Sequence, residues 1–224
     1  MIGPSERAWN WFQRATALCV LVAAAPLFAL LYLAVRLDSP GPFLYRQARP
    51  GRGGGLFDAY KIRTMSVGAD RNEMLARAVT PDTPEVTRVG RYLRDLKVDE
   101  LPQLWNVVRG EMAFVGPRPL APPLQRHLEE TIPGFRSRLD VPPGLTSLGQ
   151  ICIDGNEAVE HVVEDWSVRF EGEKHYLAHR SVTYDLAIIF LTAGYCLRKV
   201  LRTVLPASGA RYDQNILNTE RRPA

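Results

Sequence analysis

Two adjacent carboxylates, Asp99 and Glu100, stand directly before Leu101-Pro102-Gln103-Leu104. Proline is well tolerated in the first turn of a helix. The pair is therefore expected at or just before a helix N-terminus, where exposed amides and the helix dipole favour negative charge. Plain N-capping is a common use of Asp and would account for one such acid by itself. The neighbouring cations ask for more. Arg94 lies about one turn upstream, Arg118 sits in the corner Gly116-Pro117-Arg118-Pro119, and Lys61 and Arg63 close a candidate strand. Acids among several cations suit a site that handles a diphosphate and a divalent metal. Mg²⁺ takes one or two protein carboxylates plus phosphate oxygens, and Arg grips phosphate oxygens through its fork. Adjacent residues in a helical turn point in different directions, so the two acids can hold different jobs. For Lys61 and Arg63 a salt bridge with no chemical role remains an equal alternative.

The elements that must carry these residues are short. Phe43–Arg46 and Leu56–Ile62 read as strands of a hairpin around Arg52-Gly53-Gly54-Gly55, a loop that lacks the Gly-Lys-Ser/Thr ending of a phosphate-binding P-loop and so reads as a turn. Helices are expected over Ala69–Ala78, Val89–Leu96, Pro102–Val108, Leu124–Ile132, Glu157–His179 and Tyr184–Leu205, with a short apolar piece at Met112–Val115. The fold class is α+β, mainly α. Asp38-Ser39-Pro40-Gly41-Pro42 is a turn-rich break. It divides the chain into a membrane segment (1–38), a catalytic region (39–205) and a polar tail (206–224).

The segment from Ala15 to Val35 carries no charge and has no polar face. A soluble helix normally keeps one. At about 1.5 Å per residue its length is roughly 31 Å, just enough for the hydrocarbon core. Pro26 breaks it in the middle, removing a helical hydrogen bond. Arg7 and Arg14 lie before it, and Arg36, Arg46 and Arg49 lie after it. Positive charge on both flanks fits a re-entrant hairpin with both ends on the cytoplasmic side. A kinked spanning helix is an equal alternative. Tyr184–Leu197 is short for a second span and contains Asp185, so a core or interfacial helix is expected there.

Composition sets the outer bounds. The chain of 224 residues is 46% hydrophobic and 23% charged, which excludes wholesale disorder. The net charge of +4 comes from Lys and Arg spread along the chain, so nucleic acid is not an expected partner, while an anionic membrane or a phosphorylated substrate is. The cysteines Cys19, Cys152 and Cys196 are scattered and form no CxxC pair, which fits a reducing compartment. His175 and His179 have helical spacing, but without a third ligand they read as a solvated face rather than a zinc site.

Several ordered motifs together resemble the bacterial sugar transferase family, the small monotopic phosphoglycosyl transferases that initiate glycoconjugate and exopolysaccharide assembly. They are Lys61-Ile62-Arg63-Thr64-Met65, Thr87-Arg88-Val89-Gly90-Arg91-Tyr92-Leu93-Arg94, the run from Val98 through Asp99-Glu100-Leu101-Pro102-Gln103-Leu104-Trp105-Asn106 to Met112, and Phe114-Val115-Gly116-Pro117-Arg118-Pro119. The resemblance runs from about Arg7 to about Val200. It implies a membrane helix that re-enters one leaflet and breaks at a proline, matched by Pro26, with interfacial amphipathic helices around a small cytosolic domain. It places such a protein on the cytoplasmic face of a bacterial inner membrane. It implies Asp99 as the nucleophile on a UDP-sugar, a covalent phosphosugar intermediate, release of UMP, and transfer to polyprenyl phosphate. Glu100 and Asp99 would hold Mg²⁺, and Arg94 and Arg118 would clamp phosphate, with Lys61 and Arg63 as further phosphate contacts. Beyond its substrates and membrane lipid, a homodimer is a candidate partnership.

The chain also departs from the family pattern. A later motif, usually with Lys or Arg before Pro-Gly and a Trp before Ala-Gln, reads here Pro142-Pro143-Gly144-Leu145-Thr146-Ser147-Leu148-Gly149-Gln150. Asp154 falls where an Arg associated with the nucleotide is expected. Arg138 and Gln150 are then the nearest candidates for nucleotide contacts. Glu111 and Glu173 stand where the family has Asp. A non-enzymatic membrane scaffold that keeps the fold is the alternative reading these departures leave open.

Overall fold

The computed structural model describes residues 4–69, 83–152 and 162–204. The chain begins with α1 (Pro4–Ala23) and α2 (Ala25–Asp38), bent by 59° against each other. The bend follows from Pro26, which has no N–H for the carbonyl one turn back and whose ring crowds that carbonyl. The ladder resumes at once, since Ala24 N donates to Val20 O and Phe28 N to Ala24 O, both at 2.9 Å. Among the described residues no single helix is long and apolar enough to cross a membrane, but α1 and α2 pass that test together.

The first half of α1 is anchored to the rest of the protein. Gln13 is buried and accepts from Phe114 N at 2.8 Å, and Trp9 Nε1 donates to Asp185 at 2.9 Å. Ala17 is fully buried against Leu104, Val107 and Met112. Further along, Val22, Leu30, Leu33 and Leu37 are exposed, while Val35 turns inward onto Ile62 and Leu93.

After α2, Arg63 donates to the carbonyls of Ser39, at 2.7 Å, and Pro40. Asp38 accepts from Val89 N at 2.9 Å, which sets its negative charge on the positive end of α3 (Arg88–Asp95). Strands β1 (Leu44–Pro50) and β2 (Leu56–Ile62) pair antiparallel, from Leu44 opposite Ile62 to Pro50 opposite Leu56. The Gly-rich loop closes them as a turn, with Gly51 N donating to Gly55 O at 2.8 Å.

Beyond α3 the chain makes a 3-10 turn (Val98–Gln103), then α4 (Leu104–Arg109) and β3 (Ala113–Val115). The sequence suggests a helix from Pro102 to Val108. The first turn is instead 3-10, entered through Lys97 in the left-handed region (φ 58°). Helix α5 (Pro122–Thr131) follows, then β4 (Gly144–Thr146), α6 (Leu148–Cys152), α7 (Val162–His179) and α8 (Val182–Val204). The β3–β4 pair is parallel, and its continuation brings Gly116 and Gly144 so close that a Cβ on Gly144 would stand 2.1 Å from Gly116 N. Only glycine permits that approach. Leu120, Leu128, Ile132, Phe135, Trp166 and Phe170 form a second core beneath the corner that carries Arg118. Beyond Ala69 the helix expected over Ala69–Ala78 lies outside the described residues, as do Asp154 and the tail after Val204.

Candidate functional site

The 3-10 turn sits between β2 and α3 and brings the acids onto the cations. Glu100 Oε1 accepts from Lys61 Nζ at 2.9 Å and from Arg118 Nη2 at 2.8 Å, while Oε2 meets Arg118 Nη1 at 3.4 Å. Burial alone pushes the Glu100 pKa up, but Arg118 and Lys61 outweigh it and hold the carboxyl well below the usual range. Asp99 is only 7% exposed, and its Oδ1 is buried with no hydrogen-bond partner. Burial and the adjacent Glu100 charge push its pKa up, against the opposing pull of Lys61, Arg94 and Lys97. Two neighbouring carboxylates are thus driven apart: one held ionised by an ion-pair clamp, the other basic, with an unused acceptor oxygen.

Each cation is delivered by a separate element. Lys61 is the next-to-last residue of β2. Arg94 is one residue from the end of α3 and donates from Nε to Thr64 Oγ1 at 2.7 Å. Thr64 in turn lies against α3, where a Cβ on Gly90 would come within 2.1 Å of its carbonyl. Arg118 is held in the Pro117–Pro119 corner beyond β3.

Asn106 ties these pieces together. Fully buried in α4, it donates to Asp58 O and to Glu111 Oε2, both at 2.7 Å, and accepts from Tyr60 N at 3.2 Å. It therefore locks β2, and with it Lys61, onto the helix that follows the acids. The sequence reading did not single it out. Its signal was an amide inside the apolar run Leu104-Trp105-Asn106-Val107-Val108, since a buried polar side chain needs partners.

Lys61, Arg94, Asp99, Glu100 and Arg118 are thus brought together. Other candidates lie elsewhere. Arg63 is buried on the linker carbonyls of Ser39 and Pro40. The Arg138 guanidinium is enclosed by Glu173, Gln125 and the Arg118 carbonyl, so a nucleotide contact there would require breaking a buried ion pair. Gln150 lies in α6, with Oε1 buried and unpaired. A groove of about 290 Å³ lined by Asp58, Tyr60, Arg109 and Glu111 contains none of the five clustered residues.

The acids fit a divalent cation that keeps most of its shell for substrate. Among the described residues no three His, Cys, Asp or Glu side chains are close enough to hold a metal by protein alone. The unpartnered Asp99 Oδ1 and the weakly engaged Glu100 Oε2 are hard oxygen donors of the kind Mg²⁺ combines with phosphate oxygens and water.

The family model described as bacterial sugar transferase matches residues 5–199. A UDP-glucose:undecaprenyl-phosphate glucose-1-phosphate transferase of Caulobacter vibrioides is 42% identical over 170 residues, covering 75% of this chain and 61% of the relative. An undecaprenyl-phosphate glucose phosphotransferase of Komagataeibacter xylinus is 40% identical over 185 residues, covering 81% of this chain and 34% of the relative. A UDP-N-acetylgalactosamine-undecaprenyl-phosphate N-acetylgalactosaminephosphotransferase of Aeromonas hydrophila is 33% identical over 207 residues, covering 91% and 46%. The chain thus spans 34–61% of the length of these relatives.

Proposed function

Because this chain belongs to the bacterial sugar transferase family, we propose that it moves a sugar-1-phosphate from a UDP-sugar to a polyprenyl phosphate through a covalent bond to Asp99. The observation that carries this reading is the contrast within the acid pair: Asp99 has a free buried oxygen and a raised pKa, beside a Glu100 whose Oε1 is already taken by Lys61 and Arg118. A carboxylate nucleophile needs an available lone pair, and desolvation makes it more reactive.

In the first step an Asp99 oxygen bonds to the sugar-bearing phosphorus and the bridging P–O bond to the nucleotide breaks, so UMP leaves. In the second, an oxygen of polyprenyl phosphate bonds to that phosphorus and the Asp99 carboxylate departs unchanged. Arg118 and Arg94 bind the phosphoryl oxygens as charge moves between them. Lys61 keeps Glu100 ionised and in place. Mg²⁺ held by Glu100 and Asp99 would neutralise charge on the diphosphate.

The same reading gives α1 and α2 their purpose. The exposed apolar residues Val22, Leu27, Leu30, Leu33 and Leu37 would enter one leaflet, each contributing on the order of 1.5–3 kcal/mol on leaving water. The bend at Pro26 would return the chain to the cytoplasmic face of the inner membrane. An acceptor phosphate at headgroup level is then reached without withdrawing its tail, which costs about 0.8 kcal/mol per methylene.

The test is UMP release from UDP-glucose with Mg²⁺ and polyprenyl phosphate in detergent or vesicles. Wild type should turn over, and Asp99→Asn should lose at least about 10³-fold in kcat, the scale of losing a covalent nucleophile. Absence of turnover across a panel of UDP-sugars would favour the scaffold reading instead.

A further inference from the structure

The buried pair Arg138–Glu173 is the strongest feature the proposed chemistry leaves unused. The two side chains are 1% and 2% exposed. Arg138 donates from Nε to Glu173 Oε2 at 2.9 Å, from Nη2 to Glu173 Oε1 at 2.8 Å and from Nη1 to Gln125 Oε1 at 2.8 Å. Its plane lies over Phe135 and Trp166, with its Cζ 4.9 and 5.2 Å from the ring centres. These contacts fix the guanidinium in every direction. One further donor from Nη2 reaches the Arg118 carbonyl at 2.7 Å.

That carbonyl is an unusual target. Arg118 lies between Pro117 and Pro119, so the peptide that follows it has no N–H. The residue before a proline is confined to extended conformations. The Arg118 carbonyl is therefore the sole polar handle on the peptide plane that aims this side chain from below. The upstream side is pinned separately, by Gly116 N on Thr146 O and Gly144 N on Pro117 O, both at 3.0 Å.

We propose that Arg138, locked by Glu173 and Gln125, is a positioning residue that holds the Arg118 carbonyl and so aims the Arg118 guanidinium at the acid pair and the transferring phosphoryl group. The inference rests on the transferase reading and deepens it. A buried ion pair is weak evidence for stability, because apolar residues of similar volume often do as well. Orientation of a neighbour is what an apolar replacement could not supply.

A double-mutant cycle on kcat/KM tests it, with UMP release from UDP-glucose as the readout. Arg138→Lys keeps the charge beside Glu173 but cannot reach Gln125 and the Arg118 carbonyl together. In the wild-type background it should lower kcat/KM by about 10- to 100-fold, the scale of a misplacement near 1 Å. In an Arg118→Ala background the same change should cost less than about 3-fold, because nothing remains to aim. Equal losses in both backgrounds, or no loss in the first, would overturn the role. Glu173→Asp, which retains the charge and draws the guanidinium back, is read in the same cycle and should show the same background dependence. If neither variant folds, the pair serves the fold as a whole and the inference fails. A wild-type chain without turnover on any of a panel of UDP-sugars rejects the transferase reading. A wild-type chain that turns over while both backgrounds lose equally rejects only the role of Arg138.

Discussion

At the scale of single residues, the proposed chemistry depends on how two adjacent carboxylates are made unequal. Asp99 must be ionised to attack. Burial and the Glu100 charge hold its pKa above the ordinary value, so the acid limb of kcat/KM should lie above the usual aspartate range. Lys61 opposes that shift. Lys61→Met should move the limb to still higher pH, and Glu100→Gln, which removes the like charge, should move it down. Titration of kcat/KM across the acid range separates the two, and shifts of the opposite sign would refute this electrostatic picture. Linkage gives a stability counterpart. A group whose pKa is raised on folding contributes stability below its unfolded pKa and loses it as pH rises through the folded value. At neutral pH the ionised Asp99 therefore disfavours the fold. Asp99→Asn should raise Tm there, and the gain should vanish in acid.

At the scale of elements, Asn106 and Pro26 make the sharpest predictions. Asn106→Leu would take from the Tyr60 N–H and the Asp58 carbonyl the side-chain partner they share in a part-buried site. Two part-buried groups, each at the low end of about 1–3 kcal/mol, should together cost roughly 2 kcal/mol in a denaturant titration. Pro26→Ala would restore the missing bond and let α1 and α2 run on as one helix on the order of 50 Å long, more than a hydrocarbon core needs. One straight helix cannot keep both the α1 contacts of Trp9, Gln13 and Ala17 and the α2 contact of Val35, so UMP release should fall at least about 10-fold and the denaturant midpoint should drop. Unchanged turnover and stability would argue against a bend that both sets of contacts require. Much of this scale was legible in the sequence. The hairpin came from two short strand-like runs around the Gly-rich loop, the helix break from Pro26, and the acid–cation cluster from motif order. What the sequence did not show are contacts between distant segments. Nothing local marks Gln13 as a cap for Phe114 N, Arg63 as a tie for the linker, or Arg138 as the partner of Glu173. The 3-10 turn at Val98 escaped for a local reason: Lys97 takes a left-handed conformation that its side chain does not announce.

At the scale of the whole molecule, the N-terminal helix pair α1–α2 and the region that follows it share their cores. Ala17 fills the cluster of Leu104, Val107 and Met112, Val35 fills that of Ile62 and Leu93, and Trp9 reaches Asp185 at the start of α8. Deleting residues 1–38 should therefore leave an aggregating chain instead of a soluble domain, as sedimentation and circular dichroism would show. A folded, soluble remainder would mean that these contacts are dispensable.

The most direct test of the central claim is intact-protein and peptide mass spectrometry of the chain mixed with Mg²⁺ and UDP-glucose alone, without acceptor. The proposed mechanism predicts one added hexose phosphate on the peptide that contains Asp99, lost when polyprenyl phosphate is supplied and absent in Asp99→Asn. A chain that turns over with both substrates yet never carries that adduct would contradict it.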